Sequence, residues 1–241
     1  MDAVASFDIR GLLFDLDGTL LDSAPDLTAA LNQVRAGFGL PPVAVAAVRK
    51  GVSRGARGML ELGLPGVGGT ELEQAKQAFL QHYAALGTTH SEAYAGIENT
   101  LAMIDAAGLR WGIVTNKYTA LTMPIVQSLG WDQRAAAVVC GDSAAAAKPS
   151  PLPIIMAAEQ LQLEPARLLV IGDDVRDIEA GRAAGCSTSA VAWGYGEADQ
   201  YSKEDADFIF NKINDMRDFI KQIIDCRADT EADSVRLQQQ S

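Results

Sequence analysis

The sequence predicts an α/β fold in which helices cover an open parallel sheet and a helical insert follows the first strand. Three observations predict it. The apolar run Gly11 to Phe14 stops abruptly at two carboxylates, Asp15 and Asp17, followed by Gly18 and Thr19. A short apolar run bounded by a turn signal reads as a buried strand. The next roughly sixty residues carry helical spacing and no strand pattern. Beyond them, apolar strand-length runs alternate with helical segments, which implies right-handed crossovers and a parallel sheet.

In chain order, the first strand covers about Arg10 to Asp15. Asp22 or Ser23 is placed to cap a helix that has Pro25 in its first turn and Leu27, Leu31, Val34 and Phe38 at helical spacing. Gly37 and Gly39-Leu40-Pro41-Pro42 break it, and Val43 to Val48 starts another. A Gly- and Arg-rich segment, Gly51 to Gly58, comes next. Glu71 to Leu86 is an amphipathic helix with Thr70 as its expected N-cap. Helices are then expected over Glu98–Ala107, Thr119–Leu129, Pro151–Leu161 and Ile178–Ala184. They alternate with strands over Leu109–Thr115, Ala135–Cys140, Leu168–Ile171 and Ser187–Ala192. Asp207 to Phe210 is a short edge strand and Ile213 to Ile224 a terminal helix. Polar, glutamine-ended chain from Thr230 onward is expected to fray. The expected organisation is a core domain of residues 1–22 and 88–225, an inserted helical domain of 23–87, and a flexible tail of 226–241.

Composition bounds the function. A formal charge of −11 argues against nucleic acid and anionic membrane as partners. No apolar run reaches the roughly 18 residues of a membrane span. The opening residues, Met1 to Asp8, lack the basic and apolar regions of a signal peptide. Three cysteines without Cys-x-x-Cys spacing disfavour a disulfide framework or zinc site and fit a reducing cytoplasm. Monomer and homodimer both remain open.

Four groups follow strands or the loops after them: Asp15 with Asp17, Thr115 with Asn116, Lys148, and Asp173 with Asp174 and Asp177. Parallel strands point one way, so these groups converge on one rim, where open α/β sheets place their ligands. Clustered carboxylates without His or Cys suit a hard cation, Mg2+. Lys148 adds a fixed positive charge, and Thr115 and Asn116 add neutral donors. Together they can hold a phosphoryl group. Asp15, directly ending the strand, is expected to attack phosphorus and form an aspartyl-phosphate. Asp17 then serves as the acid that protonates the leaving oxygen and the base that activates water. A single well-placed donor contributes roughly 3 kcal/mol to such a step.

These residues resemble the four ordered motifs of the haloacid dehalogenase superfamily of phosphatases: Asp15-x-Asp17-Gly18-Thr19, Thr115 after an apolar strand, Lys148-Pro149, and Gly172-Asp173-Asp174-x-x-Asp177. The resemblance spans nearly the whole chain up to about residue 225. It implies a Rossmann-like core and a helical cap that closes over the site. It also implies Mg2+ held by Asp15, Asp173 and the backbone carbonyl of Asp17, and phosphate held by Thr115, Asn116 and Lys148. Within the family the chain is most similar to phosphoglycolate phosphatase-like members through Leu20-Leu21-Asp22-Ser23, Thr115-Asn116-Lys117 and Ala180 to Gly185. Gly55-Ala56-Arg57, Gly172 to Glu179 and Trp193-Gly194-Tyr195 are also similar to the branch acting on N-acetylmuramic acid 6-phosphate.

Asp174 and Asp177 have a structural alternative as charges favoured at a helix N-terminus. Lys117, His82 and His90 are expected at the solvated surface, and Cys140, Cys186 and Trp111 in or near the core. In the insert, Ser53, Arg54 and Arg57 are the candidate specificity residues, because arginine suits a carboxylate or phosphate on a substrate. Family phosphomutases usually carry Glu-Asp where this chain has Asp173-Asp174, and dehalogenase members lack the carboxylate that Asp17 supplies. A receiver domain gathers similar groups around Mg2+, but in a different order and in a chain about half as long.

Overall fold

The computed structural model describes residues 8–196 and 205–238, with side chains as far as residue 228. The start of the chain, read as lacking a signal peptide, falls largely outside the described residues, as do Gln239 to Ser241.

Six parallel strands form the sheet: β1 (Gly11–Phe14), β4 (Arg110–Val114), β5 (Ala137–Val139), β6 (Leu168–Gly172), β7 (Ser187–Val191) and β8 (Phe208–Phe210), in the order β5-β4-β1-β6-β7-β8. β1 lies in the middle and pairs with both β4 and β6. Its four residues are all buried, as an apolar run covered on both faces must be. Alternation sorts them between two cores. Leu12 and Phe14 join Trp111, Ile113, Leu169 and Ile171 on one face, and Leu13 joins Val114, Val139 and Val170 on the other. Helices α5 (Ile97–Ala106) and α9 (Ile213–Gln238) pack together, as do α7 (Leu152–Leu161) and α8 (Val175–Ala184). The apolar side chains of α5 and α9 enter the first core and those of α7, with Ala180 of α8, the second. The remaining core helix, α6 (Thr119–Ser128), carries Pro124 in its interior.

From β1 the chain moves to one side, through β4 and β5, then crosses to β6 on the other. This reversal leaves a crevice at the carboxyl end of β1.

The helical insert is entered through a two-residue strand, β2 (Leu21–Asp22), and left through β3 (Glu92–Ala93), which pair antiparallel. Two-residue strands carry no periodic signal in a sequence. Between them lie α1 (Ala24–Gly37), α2 (Val45–Val48), a 3-10 segment (Arg49–Arg54), α3 (Gly55–Gly63) and α4 (Gly69–Leu86). α1 packs on α4 through Leu27, Leu31 and Val34 against Leu72, Ala75, Phe79 and Tyr83. The N-cap of α4 is Gly68, not Thr70, which lies inside the first turn. Asp26, fully buried on α1, accepts the backbone N–H groups of His90 and Ser91 and the Ser91 hydroxyl, pinning the returning chain.

The terminal helix continues through Gln238, past the point where frayed chain was expected. Arg227, Ala228, Glu231, Ala232, Arg236 and Leu237 are good helix formers, so local propensity favours continuation.

Candidate active site

The groups expected at one rim are brought to one cavity. Asp15 follows β1, Thr115 follows β4, Lys148 lies in the loop after β5, and Asp173 follows β6. All of them, with Asp17, Asn116, Asp174 and Asp177, line a cavity of about 360 Å³ between core and insert.

The Lys148 ammonium, 3% exposed, is the electrostatic centre. It lies 2.7 Å from Asp15 Oδ1 and 2.6 Å from Asp177 Oδ1, and it donates to the Val114 carbonyl. Burial works against its charge, but the two carboxylates outweigh burial and hold its pKa above the ordinary lysine value. Asp15, Asp173 and Asp177 each offer an oxygen within 4.8 Å of the others. Burial pushes the Asp15 carboxyl up to about 7. The nearby Lys148 charge opposes that rise, and those of Asp177 and Asp17 add to it. Asp173 is likewise pushed well above the usual carboxylate range, by burial first and then by Asp15 and Asp177.

Three carboxylates against one ammonium leave this buried centre short of positive charge. Its donors are all oxygens and hard. The residues therefore fit Mg2+. Glycine lets the surrounding backbone come this close. A Cβ on Gly194 would stand 2.4 Å from Asp173 Oδ2, and one on Gly18, whose φ is +94°, 2.2 Å from it. Asp173 also accepts the Tyr195 N–H at 2.7 Å and the Thr19 hydroxyl at 3.3 Å.

Thr115 keeps its hydroxyl proton available: its oxygen accepts the Lys117 N–H at 3.2 Å. The Asn116 side chain is spent elsewhere. Its oxygen accepts the Lys148 N–H and its amide donates to the Lys148 carbonyl, both at 2.9 Å, so it clamps the loop that presents the lysine. Asp174 caps α8 and holds Arg176 bidentately at 2.6 and 2.9 Å, which keeps its carboxyl low despite burial. Arg176 also donates to the Ser53 carbonyl, strapping core to insert. Asp177 has two tasks. One oxygen takes Lys148 and the other accepts the Asp174 N–H, closing the capping box.

Lys117 departs from expectation. Its side chain is 8% exposed, not solvated, and donates to Asp17 Oδ1 and to the Tyr83 hydroxyl, each at 2.7 Å. Its pKa is raised: burial opposes the charge, but Asp17 and Tyr83 outweigh it. Asp17 thus stands outside the three-carboxylate cluster, facing a lysine of the core and, through it, a tyrosine of α4. Position is the signal that could have found Lys117, since it directly follows the Thr115-Asn116 pair at the end of β4. Tyr83 was hidden among the apolar positions of its helix.

Tyr195, which ends the Trp193-Gly194-Tyr195 run, has a task that no local pattern announces. Its backbone N–H holds Asp173. Its hydroxyl donates to Asp22 Oδ1 at 2.8 Å and receives the N–H groups of Ser23 and Ala24 at 2.7 and 3.0 Å. Arg49 completes this junction, pairing with Asp22 at 3.0 Å and lying over the Tyr195 ring at 4.9 Å. Of the three residues expected to read the substrate, Ser53, Arg54 and Arg57 all line the cavity. The two arginines are 58% and 68% exposed and share Glu61, at 2.6 and 3.0 Å.

The chain is similar to named phosphatases and to a solved structure. It is 47% identical over 189 residues, 78% of this chain and 83% of the relative, to the N-acetylmuramic acid 6-phosphate phosphatase of Pseudomonas aeruginosa. It is 43% identical over 186 residues, 77% of this chain and 84% of the relative, to the phosphoglycolate phosphatase of Xanthomonas campestris pv. campestris. The crystal structure of a predicted phosphoglycolate phosphatase from Haemophilus somnus superposes with a TM-score of 0.76 at 27% identity, covering 87% of this chain and 96% of that one. The sequence model of the haloacid dehalogenase-like hydrolases matches residues 9–185. With the ordered motifs converging on one rim of a parallel sheet, this match shows that the chain belongs to the haloacid dehalogenase-like hydrolase family, as a phosphoric monoester hydrolase.

Proposed function

We propose that the chain is a Mg2+-dependent phosphomonoesterase that hydrolyses a small phosphorylated metabolite through an aspartyl-phosphate on Asp15. One observation carries the reading. Asp15 is held by buried Lys148 in the same cavity as Thr115, Asp17 and two further carboxylates. Asp15 and Asp173 would hold Mg2+, with Asp177 behind them and the Asp17 carbonyl beside them. When bound, the ion supplies positive charge against the phosphoryl oxygens.

Lys148 orients Asp15 with its free oxygen toward phosphorus and offsets charge on the transferring group. The Thr115 hydroxyl donates to a phosphoryl oxygen, and Asn116 keeps the Lys148 loop in place. Asp17 protonates the leaving oxygen, and the Asp15–phosphorus bond then forms as the ester bond breaks. Asp17, now a carboxylate, takes a proton from the water that opens the acyl phosphate and releases inorganic phosphate. Lys117 holds Asp17 through this exchange. The helices from α1 to α4 act as the cap, hinged where β2 and β3 meet, near the 22/23 and 87/88 boundaries. The cysteine pattern supports a cytoplasmic setting.

Phosphoglycolate-like substrates follow from the similarity to phosphatases of that name. A second reading, N-acetylmuramic acid 6-phosphate, is favoured by the cavity itself. Val52, Leu80 and Leu121 line it, giving more apolar wall than a two-carbon acid can cover. A phosphate-release panel with and without Mg2+, covering 2-phosphoglycolate, N-acetylmuramic acid 6-phosphate, sugar phosphates and nucleotides, tests both. Turnover that requires Mg2+ and disappears in Asp15→Asn is the expected result. Substantial turnover in Asp15→Asn would remove Asp15 from the nucleophile's place.

A further inference from the structure

The cavity has a second end. Lys76, Phe79, Leu80 and Tyr83 all line it. They are spaced i, i+3, i+4 and i+7 along α4, so they form one continuous stripe on that helix. Tyr83 is tied to the reacting end through Lys117 and Asp17. Seven residues of helix separate Tyr83 from Lys76, a distance of about 10 Å. The stripe therefore runs from the acid/base, over Phe79 and Leu80, to an ammonium group.

That ammonium differs from its neighbours. Arg54 and Arg57 share Glu61. Lys76, half-buried, has no ion-pair partner among the described residues. A cation left unpaired at a cavity wall, in a chain whose formal charge is −11, is a group waiting for an anion. One ammonium offers a single compact charge, enough to pair with one carboxylate.

We infer that Lys76 is a specificity residue that pairs with a carboxylate remote from the phosphorus of the substrate, across a body that packs on Leu80, since Lys76 lies about 10 Å along α4 from the tyrosine that meets Lys117. The inference rests on the phosphomonoesterase reading and adds the substrate class to it: a phosphate monoester with a remote carboxylate. A two-carbon phosphorylated acid does not meet this description, because bonds of about 1.5 Å keep its carboxylate about 4 Å from phosphorus.

The test uses two probes of the same length, 6-phosphooxyhexanoate and its carboxamide, which extend to about 10 Å. Phosphate release with Mg2+ is measured for the wild-type chain, Lys76→Gln and Lys76→Arg. The wild type is expected to favour the acid over the amide in kcat/KM by about tenfold or more, as a hydrogen bond to a charged group would give. Lys76→Gln is expected to bring that ratio near one, mainly through KM, and Lys76→Arg to keep most of it. An unchanged ratio in Lys76→Gln would overturn the inference. So would an equal loss on both probes, which would mark Lys76 as a support of α4, or a wild type with no preference. Those results leave the phosphomonoesterase reading standing. Only a wild type that releases phosphate from neither probe nor from p-nitrophenyl phosphate removes both.

Discussion

Asp15 is costly to the fold it serves. Without a cation it is a buried carboxylate beside two others, and its carboxyl is pushed up to about 7 from an ordinary 3.8. In the unfolded chain it ionises at the ordinary value. Between those two values the folded chain holds the extra proton, so folding stability from this group is present at low pH and falls as pH rises through 7. Asparagine has no such charge. Asp15→Asn should therefore be more stable than wild type in metal-free buffer at pH 8, by on the order of 4 kcal/mol, with the difference shrinking toward pH 4. Thermal melts across that range check it, and an Asn variant that melts lower at pH 8 would contradict the electrostatic account. Lys148 keeps Asp177 as a partner in that variant, so the change does not strand a buried lysine. Lys117 makes the complementary point. A lysine can be buried when a carboxylate and a hydroxyl both meet it, as Asp17 and Tyr83 do.

Among elements, the junction between core and insert is held by polar groups. Tyr195 reaches from the loop after β7 to the start of α1, where its oxygen receives two helix N-terminal N–H groups that α1 cannot satisfy internally. Ser23 occupies the N-cap position but makes no side-chain cap bond, so the tyrosine takes over that task. Tyr195→Phe removes the oxygen and keeps the ring under Arg49. It should cost about 1–3 kcal/mol, the penalty of leaving buried donors unpaired. Urea unfolding at fixed pH measures this, and a variant as stable as wild type would show that water replaces the hydroxyl without loss. Because the same residue's N–H holds Asp173, loosening this junction also reaches the carboxylate cluster.

At the scale of the whole molecule, core and insert enclose the site together, and three carboxylates around one ammonium give the buried centre a charge that a cation would offset. Mg2+ binding to the folded chain alone should stabilise it by about 2.7 kcal/mol at a hundredfold excess over Kd. For a chain of this size that corresponds to a rise of roughly 5–10 °C in melting temperature. Asp173→Asn, which leaves the Lys148 pairs intact, should abolish most of that rise. A full Mg2+ shift in Asp173→Asn would take Asp173 out of the ion's coordination. No helix among the described residues is long and apolar enough to cross a membrane.

The amino-acid sequence by itself determined the alternation of strands and helices and the identity of the groups at the strand ends. Those signals are local: buried parallel strands are short apolar runs, and Asp15, Thr115, Lys148 and Asp173 each stand at or just beyond one. Glycine and proline marked most helix limits for the same reason. Only the tertiary structure decided which groups meet. Lys148 joins Asp15 to Asp177 across more than a hundred residues of chain, Lys117 joins Asp17 to Tyr83, and Tyr195 joins Asp173 to the start of α1. No periodicity encodes such pairs, because they are fixed by packing between segments distant in sequence. The β2–β3 ribbon escaped for a different reason. Two residues are too few to show a period of two, and only the antiparallel pairing across the insert makes them strands.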